Sequence, residues 1–226
     1  MPVDEDYMQQ IMRILSHDVS GALRAAIGFS KLIRQQYEEK LDDKALGWLN
    51  LMEQEGECAQ EKLKAFSRYA RLYGIDEQLG ECDLGAICTQ AANECSQQSP
   101  HFVFEVAALP TIEGHKKLWL AYFQELLANA ACYAGDKAVC RVYAGERGGG
   151  SCIISEDNGV GLDERNLDIA LQPFKSLHEG EGKIGMGLSI AKRIVEMHGG
   201  KFIVESMPIA CMASVRWLAY LIKARC

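Results

Sequence analysis

Two stretches of this sequence, SEDNGVG at residues 155–161 and GMGLSIAKRIVEMHGG at residues 185–200, decide the fold that we expect. In the first, an apolar run delivers Asp157 to the end of a predicted strand, where its carboxylate can accept a hydrogen bond from an exocyclic amine. The glycines after it let the backbone approach a flat base because they carry no Cβ atom. In the second, glycines free backbone N–H groups at the start of a predicted helix, whose positive dipole end favours phosphate oxygens. Together the turns indicate a nucleotide pocket, although either alone is more often an ordinary turn.

Composition limits the class of protein. With 226 residues, 48% of them hydrophobic, the chain is long enough for one large or two small domains with a packed core. Its formal net charge of −7 argues against a nucleic-acid binder, which normally presents a basic face. None of the nine cysteines forms a C-x-x-C pair, so reduced cytosolic thiols are favoured over a metal site or disulfides.

Neither terminus predicts targeting to a membrane. The amino terminus is acidic and leads into no uninterrupted apolar segment, so it does not have the pattern of a signal peptide. The longest apolar run near the other end is interrupted by Arg216 and is too short to span a bilayer. We therefore expect a cytoplasmic protein without a membrane partner.

The first third of the sequence has helical periodicity. Apolar residues recur at helical spacing over residues 4–37 and again over residues 44–72, with a short polar stretch between them. Two long helices with a short connection form an antiparallel hairpin. Because one hairpin buries too little apolar surface, we expect a homodimer in which two hairpins form a four-helix bundle. The sequence therefore predicts a helical domain over residues 1–75.

Residues 80–226 contain shorter, mixed elements and are predicted to form a second domain. Weak periodicity over residues 165–182 suits a mobile lid. Helices are expected at residues 83–97, 118–133 and 188–198, and strands at residues 102–106, 138–143, 151–155, 201–206 and 213–220. The predicted fold class is α+β: a helical hairpin followed by an α/β sandwich.

A histidine and a carboxylate are adjacent on the first predicted helix, as His17 and Asp18. On an exposed helical face such a histidine can act as a nitrogen nucleophile, with Asp18 drawing away its proton. The alternative is a surface histidine in a polar step of the helix, since a lone histidine rarely serves as a nucleophile. The pair alone leaves both interpretations open.

Glu125 and Asn129 lie four residues apart on a second predicted helix, and therefore on one face of it. That spacing suits a carboxylate that orients or deprotonates a group, beside an amide oxygen that can ligate Mg²⁺. A solvated polar face is the alternative, and these two residues do not decide between them.

Taken in order, these features resemble the catalytic core of a sensor histidine kinase. The motifs that resemble its H, N, G1, F and G2 boxes are His17-Asp18, Glu125 with Asn129, Asp157-x-Gly159-x-Gly161, Pro173-Phe174 and Gly185-x-Gly187. Residues 172–178 and 187–200 are especially similar to the phytochrome-associated branch of that family. The resemblance covers nearly the whole chain, and five boxes in order are far more specific than any one.

The resemblance implies a dimerisation and phosphoacceptor hairpin followed by an ATP-binding domain of the Bergerat type, shared with Hsp90-like ATPases. It implies that His17 is the phosphoacceptor with Asp18 as its base, and that Asn129 ligates Mg²⁺ with assistance from Glu125. Asp157 would contact the adenine of ATP. The residues implied to shape the pocket and its lid are Gly159, Gly161, Gly185, Gly187 and Leu188.

Two of the positions that depart from the family pattern change the charge of the site. Cys132 stands where a lysine usually follows the asparagine by three residues, which removes a positive charge beside the phosphates. Lys183 stands at the first glycine of the usual G-x-G-x-G. We hypothesise that Lys183 supplies the missing charge; a lysine that extends into solvent is the alternative.

The leading interpretation is an ATP-dependent protein histidine kinase of a two-component system, which passes a phosphoryl group from His17 to an aspartate of a response-regulator receiver domain. The hairpin leaves no room for a sensor, so we expect input from a separate protein or from a domain outside this sequence. One alternative is a non-catalytic phosphotransfer or docking protein with a degenerate ATP-binding domain. Another is a bare Hsp90-like ATPase, which would leave His17 and Asp18 unexplained.

Overall fold

The computed structural model describes most of the chain, and it divides the chain into two compact units. The described residues are 14–72, 78–133, 139–147, 150–159, 161–175, 184–209 and 212–220. The first unit contains residues 1–75 together with residues 178–186, and the second contains residues 76–177 and 187–226.

The first unit is built on the antiparallel hairpin that helical periodicity predicts. A π-helical turn at Leu15–Val19 leads into helix α1 (Ser20–Tyr37), and a 3₁₀ turn at Glu38–Lys40 connects it to helix α2 (Asp43–Arg71). Asp42 begins α2 as its N-cap, because its carboxylate accepts the Ala45 N–H at 2.7 Å. The part of the first predicted helix before residue 14 lies outside the described residues.

The two helices meet along a narrow seam with both apolar and polar contacts. Ile27 and Leu49 are buried between them, and Gly56 allows close approach because a Cβ atom built there would lie 2.7 Å from Cγ1 of Ile27. The buried Ser30 hydroxyl donates to the Leu49 carbonyl and to the Glu53 carboxylate. This seam fixes how the helices align, since a one-turn slip would separate each of these pairs.

The second unit is an α/β sandwich with seven strands and four helices among its described residues. The strands are β1 (Gly80–Asp83), β2 (Val103–Val106), β3 (Thr111–Gly114), β4 (Val139–Arg147), β5 (Gly150–Asp157), β6 (Lys201–Ile209) and β7 (Met212–Tyr220). The helices are α3 (Leu84–Gln98), α4 (Lys116–Tyr133), the short α5 (Leu167–Ala170) and α6 (Gly187–Met197).

Five of the strands form one mixed sheet in the order β2-β4-β5-β7-β6. Strands β2 and β4 pair in parallel, and every other neighbouring pair is antiparallel. Strands β1 and β3 form a separate antiparallel pair. This arrangement leaves β5, which leads to the predicted nucleotide turn, in the centre of the main sheet.

Helix α4 supplies much of the core of this unit. It packs against α3 on one side and α6 on the other. Its largest fully buried side chains are Leu118, Trp119, Tyr122, Phe123, Leu126 and Leu127. Each such side chain contributes about 1.5–3 kcal/mol through the hydrophobic effect, so the position of α4 is strongly determined.

The observed architecture confirms the α+β fold class, and it also adds elements. The sequence patterns did not predict β1 and β3, which are four residues long and carry Glu81 and Glu113 at paired positions. Helix α5 lies inside the stretch predicted as a lid, whose last residues 176–182 lie outside the described residues.

Candidate functional site

The candidate site is built around the second half of α4. Glu125 and Asn129 lie on one face of this helix and are both half-buried. Hydrophobic residues on the opposite face hold the helix in the core, so its polar face is rigidly supported.

The first residue of α6 lies against Glu125. A Cβ atom built on Gly187 would lie 3.0 Å from Oε2 of Glu125 and 3.8 Å from its backbone oxygen. The Glu125 carboxylate therefore lies at the positive end of the α6 dipole, which stabilises a negative charge there. A larger residue at position 187 would require the Glu125 carboxylate to shift by a few tenths of an ångström.

The end of β5 approaches the last turn of the same helix. Asp157 closes the strand with 5% of its surface exposed, and its Oδ1 accepts the Gly159 N–H at 2.9 Å. A Cβ atom built on Gly159 would lie 2.9 Å from the Tyr133 carbonyl oxygen and 2.8 Å from Oδ1 of Asp157. The structure therefore brings the Asp157 turn and the C-terminal end of α4 together.

Asn158, between Asp157 and Gly159, connects the turn to strand β4, a role that the sequence motifs did not indicate. Its Oδ1 accepts the Val139 N–H at 2.8 Å, and its own N–H donates to the Val139 carbonyl. These bonds extend the pairing of β4 and β5 beyond the end of β5, which fixes the direction in which the turn leaves the sheet.

Two further glycines of the predicted pocket have backbone angles that other residues rarely adopt. Gly161 has φ 75° and Gly185 has φ 69°, both in the left-handed region. Phe174 has φ 61° as well, although it is not a glycine, so its backbone is strained. The sequence motif includes Phe174, but no sequence pattern predicts a positive φ for that residue.

Of the remaining predicted site residues, Leu188 is half-buried in the first turn of α6. Cys132 is exposed in the last turn of α4. Lys183 lies outside the described residues, and its role stays a prediction.

His17 and Asp18 belong to the first unit. Nδ1 of His17 lies 2.8 Å from Oδ1 of Asp18, and 86% of the His17 side chain is exposed. Since a carboxylate only accepts hydrogen bonds, Nδ1 carries a proton, and in the neutral ring Nε2 then retains its lone pair.

Two buried thiols of the second unit, Cys88 and Cys140, do not suggest a competing site. Burial raises the pKa of the Cys88 thiol to about 12, and burial also raises the pKa of the Cys140 thiol to about 12. Such thiols stay protonated and act as packing residues. In the described part of the chain, no group of three or more His, Cys, Asp and Glu side chains could hold a metal ion.

Comparison with known proteins identifies the domain that carries this site. The histidine kinase-, DNA gyrase B-, and HSP90-like ATPase family matches residues 116–217, which include α4, β5 and α6. This region is an ATPase domain of that family. The hairpin precedes the matched residues of the ATPase domain.

Relatives of the chain include named sensor kinases. The phytochrome-like protein Cph1 of Synechocystis is 27% identical over 207 residues, covering 89% of this chain and 28% of that protein. The sensor protein VanS of Enterococcus faecium is 26% identical over 212 residues, covering 89% of this chain and 55% of that protein. The chain thus spans little more than a quarter of the length of its phytochrome relatives. The resemblance to sensor histidine kinases is confirmed.

Solved structures share the fold of the ATPase domain and, in one case, of nearly the whole chain. Full-length ShkA in complex with AMPPNP matches 96% of this chain and 47% of its own, with a TM-score of 0.64 and 19% identity. The ATP binding domain of PrrB from Mycobacterium tuberculosis matches 66% of this chain and all of its own, with a TM-score of 0.53 and 21% identity. No helix within the described ranges is both long and apolar enough to cross a membrane.

Proposed function

We propose that the chain is the catalytic core of an ATP-dependent protein histidine kinase, which phosphorylates itself on His17. The phosphoryl group then passes to an aspartate of a response-regulator receiver domain. The observation that supports this most is that helix α4 contacts Gly187 through Glu125 and contacts the Asp157 turn through Tyr133, in a chain that also carries an exposed histidine–aspartate pair.

Binding of the nucleotide is assigned to the turns at both ends of the site. Asp157 accepts a hydrogen bond from the exocyclic amine of adenine, and Gly159 and Gly161 admit the flat base. The N–H groups at the start of α6 face the phosphates, where their number and dipole favour anions. The residues proposed for this second group are Gly185, Gly187 and Leu188.

The donor set on α4 fits Mg²⁺. Asn129 offers an amide oxygen as the direct ligand, and Glu125 offers carboxylate oxygens beside it. Mg²⁺ is typically held by one or two protein oxygens together with substrate phosphates, so a larger protein cage is not required. When bound, the ion would neutralise charge on the phosphate oxygens.

The His17 side chain is suited to accept the phosphoryl group. Asp18 holds the proton on Nδ1, which leaves the Nε2 lone pair available to attack the γ-phosphorus in line. The bond from Nε2 to phosphorus forms while the bond from phosphorus to the bridging oxygen breaks, and ADP leaves. Asp18 then takes up the positive charge that develops on the ring by accepting the Nδ1 proton.

The partners follow from the same assignment. A homodimer through the hairpin would cover apolar side chains that one hairpin leaves exposed, among them Phe29, Trp48, Leu51 and Met52. A receiver domain is the acceptor of the phosphoryl group, and a separate sensor protein is a possible source of input. Nucleic acid and membrane are not proposed as partners, and the proposed location is the cytoplasm.

Lys183 is proposed to replace the charge that Cys132 lacks. The support is that Cys132 lies exposed at the end of the α4 face, where it offers no cation. Lys183→Ala is expected to weaken ATP binding and autophosphorylation about tenfold, while Lys175→Ala, which removes an exposed lysine, serves as the control. Equal behaviour of the two variants would reject this role.

Incubation with γ-labelled ATP and Mg²⁺ tests the proposed function. We expect base-stable, acid-labile label on the wild-type chain and on His101→Gln, and none on His17→Gln. Absence of both label and ATP binding would instead favour a docking protein with a degenerate ATP-binding domain, for which Cys132 is the supporting observation. Hydrolysis of ATP that does not depend on His17 would favour a bare ATPase.

A further inference from the structure

The imidazole ring of His198 connects the C-terminal end of α6 to the N-terminal end of α4 through hydrogen bonds. His198 follows the last residue of α6, and its Nδ1 lies 2.8 Å from the Ile194 carbonyl oxygen. Its Nε2 accepts the backbone N–H of His115 at 3.1 Å, one residue before α4 begins. A carbonyl only accepts and an amide N–H only donates, so both bonds exist only when His198 is neutral with its proton on Nδ1.

The ring occupies a closely packed position. Its centroid lies 4.9 Å from the Trp119 ring and 5.6 Å from the His115 ring. A Cβ atom built on Gly114 would lie 3.0 Å from Nε2 of His198, so a larger residue would displace the ring. If Nε2 were protonated, it would face the His115 N–H, and two donors would point at each other. The neighbouring rings leave little room for His198 to turn away.

This junction lies where α4 begins and α6 ends, whereas the Gly187–Glu125 contact lies at the start of α6 and halfway along α4. At 1.5 Å per residue, the rise from His198 back to Gly187 is about 16 Å, and the rise from His115 to Glu125 is about 15 Å. The two helices thus run antiparallel, and the distance between the two contacts is similar along each of them, although α4 continues to Tyr133. One end is closed by His198, and the other end brings Gly187 against Glu125.

We propose that His198 is a positioning residue, a neutral hydrogen-bonded clamp that sets the placement of the α6 N-terminus on Glu125 and is released by acid. Its effect on nucleotide binding rests on the proposed function, whereas its effect on the helix pair does not. A rigid helix carries a displacement at one end to the other, so loss of the clamp loosens the phosphate end of the site.

The direction of the pH effect follows from the surroundings of His198. Burial lowers its pKa from the ordinary value of 6.5, the hydrogen bond to Ile194 opposes this, and the field of His115 lowers it further. On α6 itself, Lys192 and Glu196 lie 3.9 Å apart and offset each other. Among the described residues, His115 is the one titratable side chain whose field shifts the pKa of His198.

The pKa of His198 is lower in the folded state than in the released imidazole, so acid weakens the clamp. Released imidazole takes up a proton below about pH 6.5, whereas the clamped ring resists it. The clamp is therefore fully effective above that pH, and its contribution is lost as the pH falls towards the lower pKa of the folded state.

Amide hydrogen exchange of the ligand-free full chain at pH 7.5 and pH 5.5, corrected for intrinsic rates, tests the clamp directly. We expect the protection of α6 to fall at least about threefold on acidification in the wild type and to stay unchanged in His198→Gln, which cannot become charged. His115→Gln keeps the backbone donor but removes the imidazole that lowers the pKa of His198. In that variant, α6 should therefore lose protection at a higher pH than in the wild type. Equal pH dependence in the wild type and His198→Gln would overturn the proposal.

Imidazole NMR and nucleotide affinity test the clamp in two further ways. If His198→Gln does not fold, ¹⁵N NMR of the wild-type imidazole is expected to show the Nδ1–H tautomer and a depressed pKa, and an Nε2–H tautomer would refute the clamp. Affinity for a non-hydrolysable ATP analogue should fall with pH more steeply in the wild type than in His198→Gln. No binding at any pH would contradict the proposed function, while exchange still decides the clamp.

Discussion

At the scale of single residues, the candidate site depends on what glycine leaves out. Gly187 and Gly159 each occupy a position where a Cβ atom would lie within about 3 Å of α4, against the Glu125 carboxylate in one case and the Tyr133 carbonyl in the other. The sequence motifs indicated glycines for their freedom to approach a nucleotide. The structure adds that both glycines also lie against α4, and that Gly159 leaves no room for a Cβ atom beside the Tyr133 carbonyl oxygen.

Replacement of Gly159 by alanine is expected to damage the site. The new Cβ atom would lie 2.9 Å from a backbone oxygen of α4, which cannot rotate away, so the turn must shift. We expect a loss of about 1–3 kcal/mol in the free energy of unfolding and at least about a tenfold loss of ATP affinity. Gly80→Ala is the matched control, since a Cβ atom there meets nothing within 4 Å. Denaturant titration and calorimetry would measure both, and unchanged affinity in Gly159→Ala would count against the assignment of this turn.

At the scale of elements, periodicity and caps predicted the long helices well. Asp83 was expected to begin α3, and its Oδ1 accepts the Ala86 N–H at 3.0 Å. Strands β1 and β3 were missed because four residues with charged side chains give no alternating pattern and are ordered by their pairing. Similarly, the approach of Gly187 to Glu125 joins positions 62 residues apart in sequence, which no local pattern reveals. For the candidate site, the order of the motifs supplied what local patterns lack. The resemblance to a kinase core assigned Glu125 and Gly187 to one site from the sequence alone.

The seam of the hairpin gives a prediction about two glycines of α2. Gly56 faces Ile27 at a distance that a methyl group cannot share, whereas Gly47 has open space around it. Gly56→Ala should therefore destabilise the hairpin by about 1–3 kcal/mol through overpacking. Gly47→Ala should stabilise it by about 0.5–1 kcal/mol, because alanine is the better helix former. Thermal unfolding of both variants measures the difference, and stabilisation by both would show that the helices do not approach closely at Gly56.

At the scale of the whole molecule, the chain combines a helical unit that leaves apolar side chains exposed with an ATPase domain that has its own core. This division suits a protein in which the first unit associates and accepts a group while the second binds the nucleotide. The exposed apolar residues of the hairpin indicate association more directly than any motif does, because a stable monomer rarely leaves several of them on one small unit.

Association through the hairpin can be tested by introducing a charge. Phe29 is 66% exposed on α1, so Phe29→Glu should fold but weaken the dimer by placing carboxylates in its apolar interface. Leu79→Glu is the control, since Leu79 is 59% exposed in the second unit. Light scattering with size-exclusion chromatography is expected to show two chains for the wild type and Leu79→Glu, and a concentration-dependent monomer for Phe29→Glu. A monomeric wild type would contradict the proposed dimer.

The central claim is that ATP held by the Asp157 turn delivers its γ-phosphoryl group to His17. Peptide mapping by mass spectrometry at alkaline pH, after incubation with ATP and Mg²⁺, locates that group on the chain. The account predicts a phosphoryl group on the His17 peptide of the wild type and none in His17→Gln or in folded Asp157→Asn. A phosphoryl group on a different residue, or an Asp157→Asn chain modified as fully as the wild type, would contradict it.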